Sequence, residues 1–118
     1  MIVEDDYLVA TQMADSLRDA GFEVAAVAAS AEEAVAAARE EPIALAIVDV
    51  RLSGKRDGVE CALELFTRYG IRCIFATAHG DPRVKARAEP AKPLGWIQKP
   101  YSMASLIANV RTTLNALE

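Results

Sequence analysis

Residues 43–49 read IALAIVD, six apolar residues in succession followed by a carboxylate. A strand with one buried face alternates apolar and polar residues, whereas a central strand of a parallel sheet is buried on both faces and reads as a continuous apolar run. The pattern therefore predicts a central parallel strand that ends at Asp49. Asp57-Gly58 and an amphipathic helical pattern over residues 59–69 follow, as expected for a strand–loop–helix unit.

The same alternation of apolar runs and helical patterns extends over the rest of the chain. We predict strands at residues 1–4, 22–28, 43–49, 71–77 and 95–99. We predict helices at residues 7–20, 31–41, 59–69 and 102–117, and a short, irregular fourth helix after Asp81-Pro82 that Pro90 and Pro93 limit to two turns. This order predicts an α/β fold, a doubly wound (βα)5 parallel sheet with the flavodoxin-like strand order 2-1-3-4-5. Because the first strand is short, we also expect a few native residues before Met1.

The length and charge of the chain limit the class of protein to which it can belong. The chain has 118 residues, 53% of them hydrophobic, which predicts one compact domain over residues 1–118. Its formal net charge of -4 lacks the positive excess that is typical of proteins that bind nucleic acid. The apolar runs are far shorter than the roughly 20 residues of a membrane-spanning helix. We therefore expect a cytoplasmic domain that contacts neither nucleic acid nor membrane directly.

The cysteine and histidine content limits the kinds of metal site. Cys61 and Cys73 lie in apolar surroundings without metal-binding spacing, and His79 is the one histidine of the chain. Zinc and iron sites need several nitrogen or sulfur ligands, so we expect any metal here to be a hard cation with oxygen ligands. We predict that both cysteines are buried thiols that act as small hydrophobic residues.

Polar side chains stand at the carboxyl ends of four of the five predicted strands. In chain order they are Glu4, Asp5 and Asp6, then Asp49, Thr77 and Lys99. Ligands bind at the carboxyl edge of open parallel sheets, at the point where the winding reverses. In the order 2-1-3-4-5 the first and third strands are neighbours there. We therefore expect Glu4, Asp5 and Asp49 to converge, whereas Asp6 should cap the first helix or face solvent.

Such a cluster has a definite chemistry. Neighbouring carboxylates repel each other, and a divalent cation with oxygen ligands relieves that repulsion, so we predict Mg²⁺. Lys99 adds a positive charge and Thr77 a hydroxyl donor. A nucleophilic carboxylate, Asp49, beside a metal, a cation and a hydroxyl suits phosphoryl transfer, in which catalysis is mostly positioning and charge neutralisation.

The chain resembles the receiver domain of two-component response regulators along essentially its whole length. The resemblance rests on five stretches in the order and at the spacing that this family uses: Val3-Glu4-Asp5-Asp6, Ile47-Val48-Asp49-Val50-Arg51-Leu52, Asp57-Gly58, Phe75-Ala76-Thr77-Ala78 and Lys99-Pro100-Tyr101. Together they form a highly specific signature, although each alone is weak. Phe75-Ala76-Thr77 is also similar to a variant of single-domain receivers in alphaproteobacteria, which implies a bacterial protein.

The resemblance implies that Asp49 accepts a phosphoryl group from a phosphohistidine of a histidine kinase or histidine phosphotransfer protein. It implies that Asp5 and Asp49 bind Mg²⁺ directly, with Glu4 acting through water and the backbone carbonyl of Arg51 as a further ligand. A domain of this family catalyses only its own phosphorylation and dephosphorylation. Its phosphorylated surface signals to a downstream protein partner.

The family's switch is implied at two further residues. Thr77 and Lys99 would contact the phosphoryl oxygens, and the Thr77 hydroxyl would move toward them. An aromatic ring on the fifth strand then turns inward, and Trp96 stands at that position, three residues before Lys99. The resemblance also implies a cis peptide bond at Lys99-Pro100, which an X-Pro bond permits at modest cost.

Three features depart from the most common receiver pattern. The loop that follows Asp49 is one residue longer, and Ser53 stands where many members have proline. Arg51 and His79 occupy the positions at which the family adjusts the access of hydrolytic water. The short fourth helix changes a face through which receivers commonly dimerise or dock.

Other interpretations stay open. The acidic residues are also compatible with a solvated turn, Asp49 and Lys99 with a structural ion pair, and Trp96 with simple packing. The main alternative is a pseudo-receiver, a protein-binding module that keeps the acidic pocket without phosphorylation. Magnesium phosphohydrolases with an Asp nucleophile generally carry a second Asp where this chain has Arg51. A flavodoxin-like flavin carrier would need a Ser/Thr/Gly-rich loop in place of the acidic residues 4–6.

Overall fold

The computed structural model of the chain describes residues 1–117, in which five strands alternate with five α-helices. The strands are β1 (Ile2–Val3), β2 (Val27–Ala28), β3 (Ala46–Asp49), β4 (Cys73–Thr77) and β5 (Gly95–Gln98). The helices are α1 (Tyr7–Asp19), α2 (Ala31–Glu40), α3 (Gly58–Tyr69), α4 (Pro82–Ala88) and α5 (Met103–Leu117). The strands pair in parallel in the order β2-β1-β3-β4-β5, which confirms the predicted doubly wound (βα)5 sheet.

Local sequence signals set several helix ends. Asp6 precedes α1 and accepts hydrogen bonds from the backbone N–H groups two and three residues further on, at 3.0 and 3.2 Å. This confirms that Asp6 caps the first helix. Before α3, Asp57 and Glu60 form a reciprocal capping box. Gly70 ends α3 with φ at 68°, a left-handed conformation that favours glycine.

The strands are shorter than predicted, most of all β2, for which the prediction was residues 22–28. Val27 and Ala28 pair with Ile2 and Val3. Residues 22–25 precede the part of the chain that pairs with β1. The prediction was wrong there because an apolar run indicates burial, whereas a parallel strand also needs a neighbour to pair with. β3 and β4 likewise begin after the predicted residues 43 and 71, and the remaining predicted element ends agree with the structure to within one residue.

The fourth helix is short, as predicted. Pro82 occupies its first turn, where a proline is tolerated, and α4 ends after seven residues at Ala88. A 3-10 turn at Glu89–Ala91 contains Pro90 and replaces a further α-helical turn. The surface formed by residues 82–91 is therefore built from two short segments rather than one long helix.

The central strands are buried on both faces, as the continuous apolar runs predict. α1 and α5 cover one face of the sheet, which carries Ile2, Ile47 and Ile74. α2, α3 and α4 cover the other face, which carries Val3, Val48 and Phe75. Because successive side chains of a strand point to opposite faces, each of these strands contributes to both layers. This leaves the carboxyl ends of the strands as the places where polar side chains gather.

The interior away from those ends is apolar. Cys61 and Cys73 are buried free thiols, as predicted, and burial raises their pKa values to about 11 and about 12. A cavity of about 280 Å³ lies at the amino end of the sheet, between residues 22–25 and 42–45, and its lining is mostly apolar. Among residues 1–117, no helix is both long and apolar enough to cross a membrane.

Candidate functional site

Three carboxylates meet at the carboxyl edge of the sheet, where β1 and β3 end. One carboxylate oxygen from each of Glu4, Asp5 and Asp49 lies within 4.8 Å of the other two. Glu4 and Asp49 are only 5% and 7% exposed, whereas Asp5 is exposed. Because β1 and β3 are neighbours in the sheet, the side chains at their ends are brought together as the strand order predicts.

Both oxygens of the Asp49 carboxylate accept a hydrogen bond. Lys99, which follows β5, donates from Nζ to Oδ2 at 2.8 Å, and the backbone N–H of Arg51 donates to Oδ1 at 3.0 Å. The same ammonium group lies 4.0 Å from Glu4 Oε1. One positive charge thus faces three carboxylates, so the cluster has a negative excess when they are ionised, and a divalent cation can neutralise it.

Gly58, the first residue of α3, lies directly behind Asp49. Its N–H donates to the carbonyl of Val50 at 2.8 Å. A Cβ added at Gly58 would lie 1.9 Å from the carbonyl oxygen of Asp49, much closer than non-bonded atoms approach. The backbone that presents Asp49 therefore requires a glycine at this position.

Glu4 has a perturbed pKa. Burial raises it from the ordinary value of 4.5 to about 7, and the charge of Asp49 acts in the same direction. The backbone N–H of Asp6, which donates to Glu4 Oε2 at 3.2 Å, and the ammonium group of Lys99 partly oppose this rise. Glu4 consequently holds a proton at a pH where a free glutamate is ionised, and a cation at this cluster has to compete with that proton.

We expect Glu4→Gln to change how stability depends on pH when divalent cations are chelated. The raised pKa of Glu4 gives a stabilising contribution that is complete below its unfolded pKa of 4.5 and is lost as the pH rises through about 7. The native chain should therefore lose stability relative to Glu4→Gln between about pH 5 and pH 8. Urea unfolding of both proteins in EDTA at these two pH values measures the change.

The buried amino group of Met1 changes the stability in the opposite direction as the pH rises, but its effect is the same in both proteins. Burial lowers the pKa of the Met1 amino group from 8.0 to about 6, so its unfavourable contribution is relieved as the pH rises through this range. It is present in both proteins. Parallel stability curves for the native chain and Glu4→Gln would contradict the assigned pKa of Glu4.

Asp5 is held by the loop that follows β3. Its Oδ2 accepts a hydrogen bond from the backbone N–H of Ser53 at 3.0 Å and a second, short one from the Ser53 hydroxyl. These donors lower the pKa of Asp5 below its ordinary value of 3.8, because they stabilise the carboxylate form. The two residues are 48 positions apart in the sequence, so the contact depends on the fold.

Thr77 and Lys99 border a cleft of about 150 Å³ beside Asp49. Thr77 ends β4 and is buried, and its hydroxyl donates to the carbonyl oxygen of His79 at 2.8 Å. Arg51 lines the same cleft and is exposed. The cleft therefore combines a carboxylate, an ammonium group and a hydroxyl around one small space, as the strand ends predict.

Trp96 lies apart from the carboxylates, on β5. It is half-buried and stacks on Phe75 of β4, with ring centroids 4.7 Å apart and an interplanar angle of 27°. The ammonium group of Lys85 on α4 stands 5.5 Å from the centroid of its ring, within the range of a cation–π interaction. In this conformation the indole packs between the sheet and α4.

The donor set fits Mg²⁺. Carboxylate oxygens are the ligands that this small, hard cation prefers, and Glu4, Asp5 and Asp49 present three of them within 4.8 Å. Arg51, whose backbone carbonyl the resemblance implies as a ligand, is placed beside Asp49 by its own N–H. A cation bound here would neutralise the negative excess that the single ammonium group of Lys99 leaves.

Two residues of the site have contacts that the sequence analysis did not predict. Ser53 was noted only as a departure from proline, which indicates a changed loop but no partner for its hydroxyl. Gly58 is part of the Asp57-Gly58 stretch that carries the family resemblance, but no contact with Asp49 is predicted for it. A glycine directly after the helix-capping Asp57, where the chain turns back from a buried strand, is the signal that indicates close backbone approach.

Comparison with known proteins gives a consistent answer. The family model described as "Response regulator receiver domain" matches residues 1–111. Transcriptional regulatory protein PdtaR of Mycobacterium tuberculosis is 29% identical over 115 residues, which is 98% of this chain and 56% of PdtaR. The chain thus spans about half the length of this curated relative.

Solved receiver domains have the same fold. The signal receiver domain of a modulated diguanylate cyclase from Desulfovibrio desulfuricans superimposes with a TM-score of 0.87 at 32% identity, over 98% of this chain and 91% of that one. A CheY-like receiver domain protein from Methanospirillum hungatei gives a TM-score of 0.89 at 26% identity, with the same coverage of 98% and 91%. With the family match over residues 1–111, these findings show that the chain belongs to the response regulator receiver domain family.

Proposed function

We propose that residues 1–118 form a phosphoacceptor receiver domain of a bacterial two-component phosphorelay, working in the cytoplasm. Asp49 takes a phosphoryl group from a phosphohistidine of a histidine kinase or histidine phosphotransfer protein. The observation that carries the proposal is the position of Asp49, 2.8 Å from Lys99 and within 4.8 Å of two further carboxylates at the edge of a small cleft. The test is whether the chain gains one phosphoryl group at Asp49 from a phosphohistidine donor.

The proposed step is a displacement at phosphorus. A carboxylate oxygen of Asp49 attacks, a P–O bond forms, and the P–N bond to the donor imidazole breaks. The bonding electron pair leaves with the imidazole nitrogen, which takes a proton from solvent if it is not already protonated. The product is an acyl phosphate on Asp49, and the regenerated histidine remains on the partner.

Charge neutralisation is the main requirement for this step. Asp5 and Asp49 would hold Mg²⁺ directly, with Glu4 acting through water and the backbone carbonyl of Arg51 as a further ligand. When bound, Mg²⁺ supplies positive charge that reduces the repulsion between the carboxylates and an incoming phosphoryl group. Lys99 Nζ, now 2.8 Å from Asp49 Oδ2, is within reach of a phosphoryl oxygen attached to that carboxylate.

Thr77 connects the phosphorylated site to the surface. Its hydroxyl donates to the carbonyl of His79 and has to leave that bond before it can donate to a phosphoryl oxygen. Movement of Thr77 toward Asp49 changes the space beside β5, where Trp96 stacks on Phe75. We assign Thr77 and Trp96 to the switch whose altered surface a downstream protein partner recognises.

The domain is a signalling module rather than a classical enzyme. In the proposed cycle it promotes only the formation and hydrolysis of its own acyl phosphate. The alternative is a pseudo-receiver that binds partners without phosphorylation. It is favoured by one observation, that two of the three carboxylates, Asp5 and Asp49, already accept hydrogen bonds from Ser53 and Lys99.

We expect Arg51→Asn to lose its phosphoryl group faster than the native chain, by about threefold or more, because water reaches the acyl phosphate more easily. Arg51 is exposed and lines the cleft beside Asp49, and a long side chain at this position can obstruct the approach of water. Dephosphorylation is followed by intact mass after the donor is removed. Lys55→Asn, the same loss of charge at an exposed position of the same loop, serves as control. An unchanged rate in Arg51→Asn would show that this side chain does not shield the group.

A further inference from the structure

Asp5 differs from the other two carboxylates in how it is held. Glu4 and Asp49 are buried, and the surrounding protein restricts them. Asp5 is exposed, so packing does not fix its side chain. Its two hydrogen bonds from the loop come from one residue, Ser53, through the backbone N–H at 3.0 Å and through the hydroxyl.

Both donors of Ser53 bind the same oxygen, Oδ2 of Asp5. Ser53 donates no hydrogen bond to the other oxygen of that carboxylate, which can therefore serve as a cation ligand. Mg²⁺ requires near-ideal octahedral geometry, so a ligand that is already oriented loses less conformational freedom on binding than a freely rotating side chain. Partners of this kind behind a metal ligand typically contribute a factor of 10–100 to metal affinity.

The loop between β3 and α3 is shaped to bring Ser53 to this position. Gly54 directly follows it with φ at 100°, a conformation in which residues with a Cβ are strained. The hydrogen bond from Ser53 to Asp5 places this part of the loop beside the end of β1. The loop after β3 therefore contacts two of the three carboxylates, Asp49 through the N–H of Arg51 and Asp5 through Ser53.

We propose that Ser53 is a positioning residue for the cation site: its hydroxyl and backbone N–H fix one oxygen of Asp5 and so orient the other toward the cation. This inference rests on the proposed function, since it takes the three-carboxylate cluster to be a Mg²⁺ site. It goes beyond that function by assigning part of the metal affinity to a loop residue outside the ligand set.

The test is the affinity of the full chain for Mg²⁺, measured by titration calorimetry with MgCl₂ at a pH above the pKa of Glu4. Ser53→Ala removes the hydroxyl and keeps the backbone donor, so we expect about tenfold weaker binding. Ser53→Thr keeps a hydroxyl at this position, so its affinity for Mg²⁺ should lie within about twofold of that of the native chain. Ser105→Ala makes the same chemical change at an exposed position on α5 and should leave the affinity unchanged.

The outcomes separate the inference from the function on which it rests. If the native chain binds Mg²⁺ and Ser53→Ala binds equally well, Ser53 is not a positioning residue, while the proposed function stands. If the native chain shows no Mg²⁺ binding, both the inference and the proposed function fail. Asp5→Asn, which lacks one carboxylate of the cluster, is the reference for absent binding. Because Ser53 is exposed, the melting temperature of Ser53→Ala without Mg²⁺ should match that of the native chain. If Ser53→Ala shows both a weaker affinity for Mg²⁺ and a lowered melting temperature, the role of Ser53 is merely structural, and this result would also overturn the inference.

Discussion

Asp49→Asn will gain no phosphoryl group under conditions in which the native chain gains one. The amide nitrogen and oxygen of asparagine are poor nucleophiles at phosphorus, while the side chain keeps the size and shape of aspartate. Intact mass spectrometry measures the gain after incubation with Mg²⁺ and acetyl phosphate, and again with a phosphorylated histidine phosphotransfer protein. Because this replaces the nucleophilic carboxylate by a neutral amide, we expect complete loss rather than a slower reaction. Chelation of Mg²⁺ should abolish the gain in the native chain as well.

A matched control lies next to the site. Asp6→Asn makes the same chemical change, but Asp6 caps α1 and asparagine caps equally well, so this variant should be phosphorylated like the native chain. Phosphorylation of Asp49→Asn would place the acceptor elsewhere. No gain by the native chain, even with a competent phosphohistidine donor, would favour the pseudo-receiver.

Gly58→Ala should be the most destabilising single methyl group that can be added at the site. Its Cβ would lie 1.9 Å from the carbonyl oxygen of Asp49 and 2.9 Å from the Cα of Val50. That backbone cannot easily retreat, because β3 pairs with β4 and the N–H of Val50 donates to the carbonyl of Ala76 at 3.0 Å. We expect a loss of about 3 kcal/mol in the free energy of unfolding, measured by urea denaturation.

Gly80→Ala is the control for Gly58→Ala. Its nearest neighbours are side-chain atoms of Lys85 at 3.6 and 3.7 Å, an ordinary contact with a flexible group, so we expect a change within about 0.5 kcal/mol. The fraction of Gly58→Ala that remains folded should also be phosphorylated more slowly than the native chain, because the added methyl group displaces Asp49. Equal stability of the two variants would mean that α3 and β3 do not approach each other as closely as described.

The fold and the convergence of the site residues were predictable because each depends on a local pattern. The apolar runs that end at Asp49 and Thr77 mark central strands, and the parallel order then places their last residues on one edge. The local pattern was misleading for residues 22–25, three of which are apolar, because they precede the part of the chain that pairs with β1. Whether such a run joins a sheet depends on the length of its neighbour, and its own composition does not contain that information.

The contacts that were not predicted are those that depend on the path of a loop. Ser53 contacts Asp5 across 48 residues, and this contact depends on the path of the loop between β3 and α3 rather than on any spacing in the sequence. The length of that loop was evident as a departure from the family. The partner of Ser53 is evident only from the fold, which brings the end of β1 next to the loop after β3.

The stacked position of Trp96 gives the domain a built-in optical signal. Trp96 is the one tryptophan of the chain, and its indole ring contacts both the ring of Phe75 and the ammonium group of Lys85. Indole emission responds to the polarity and charge of its immediate surroundings. A shift of α4 that withdraws Lys85, or a rotation of the ring away from Phe75, would alter the fluorescence of the unlabelled protein. The junction of β5 and α4 can therefore be followed in real time with native sequence and without an attached dye.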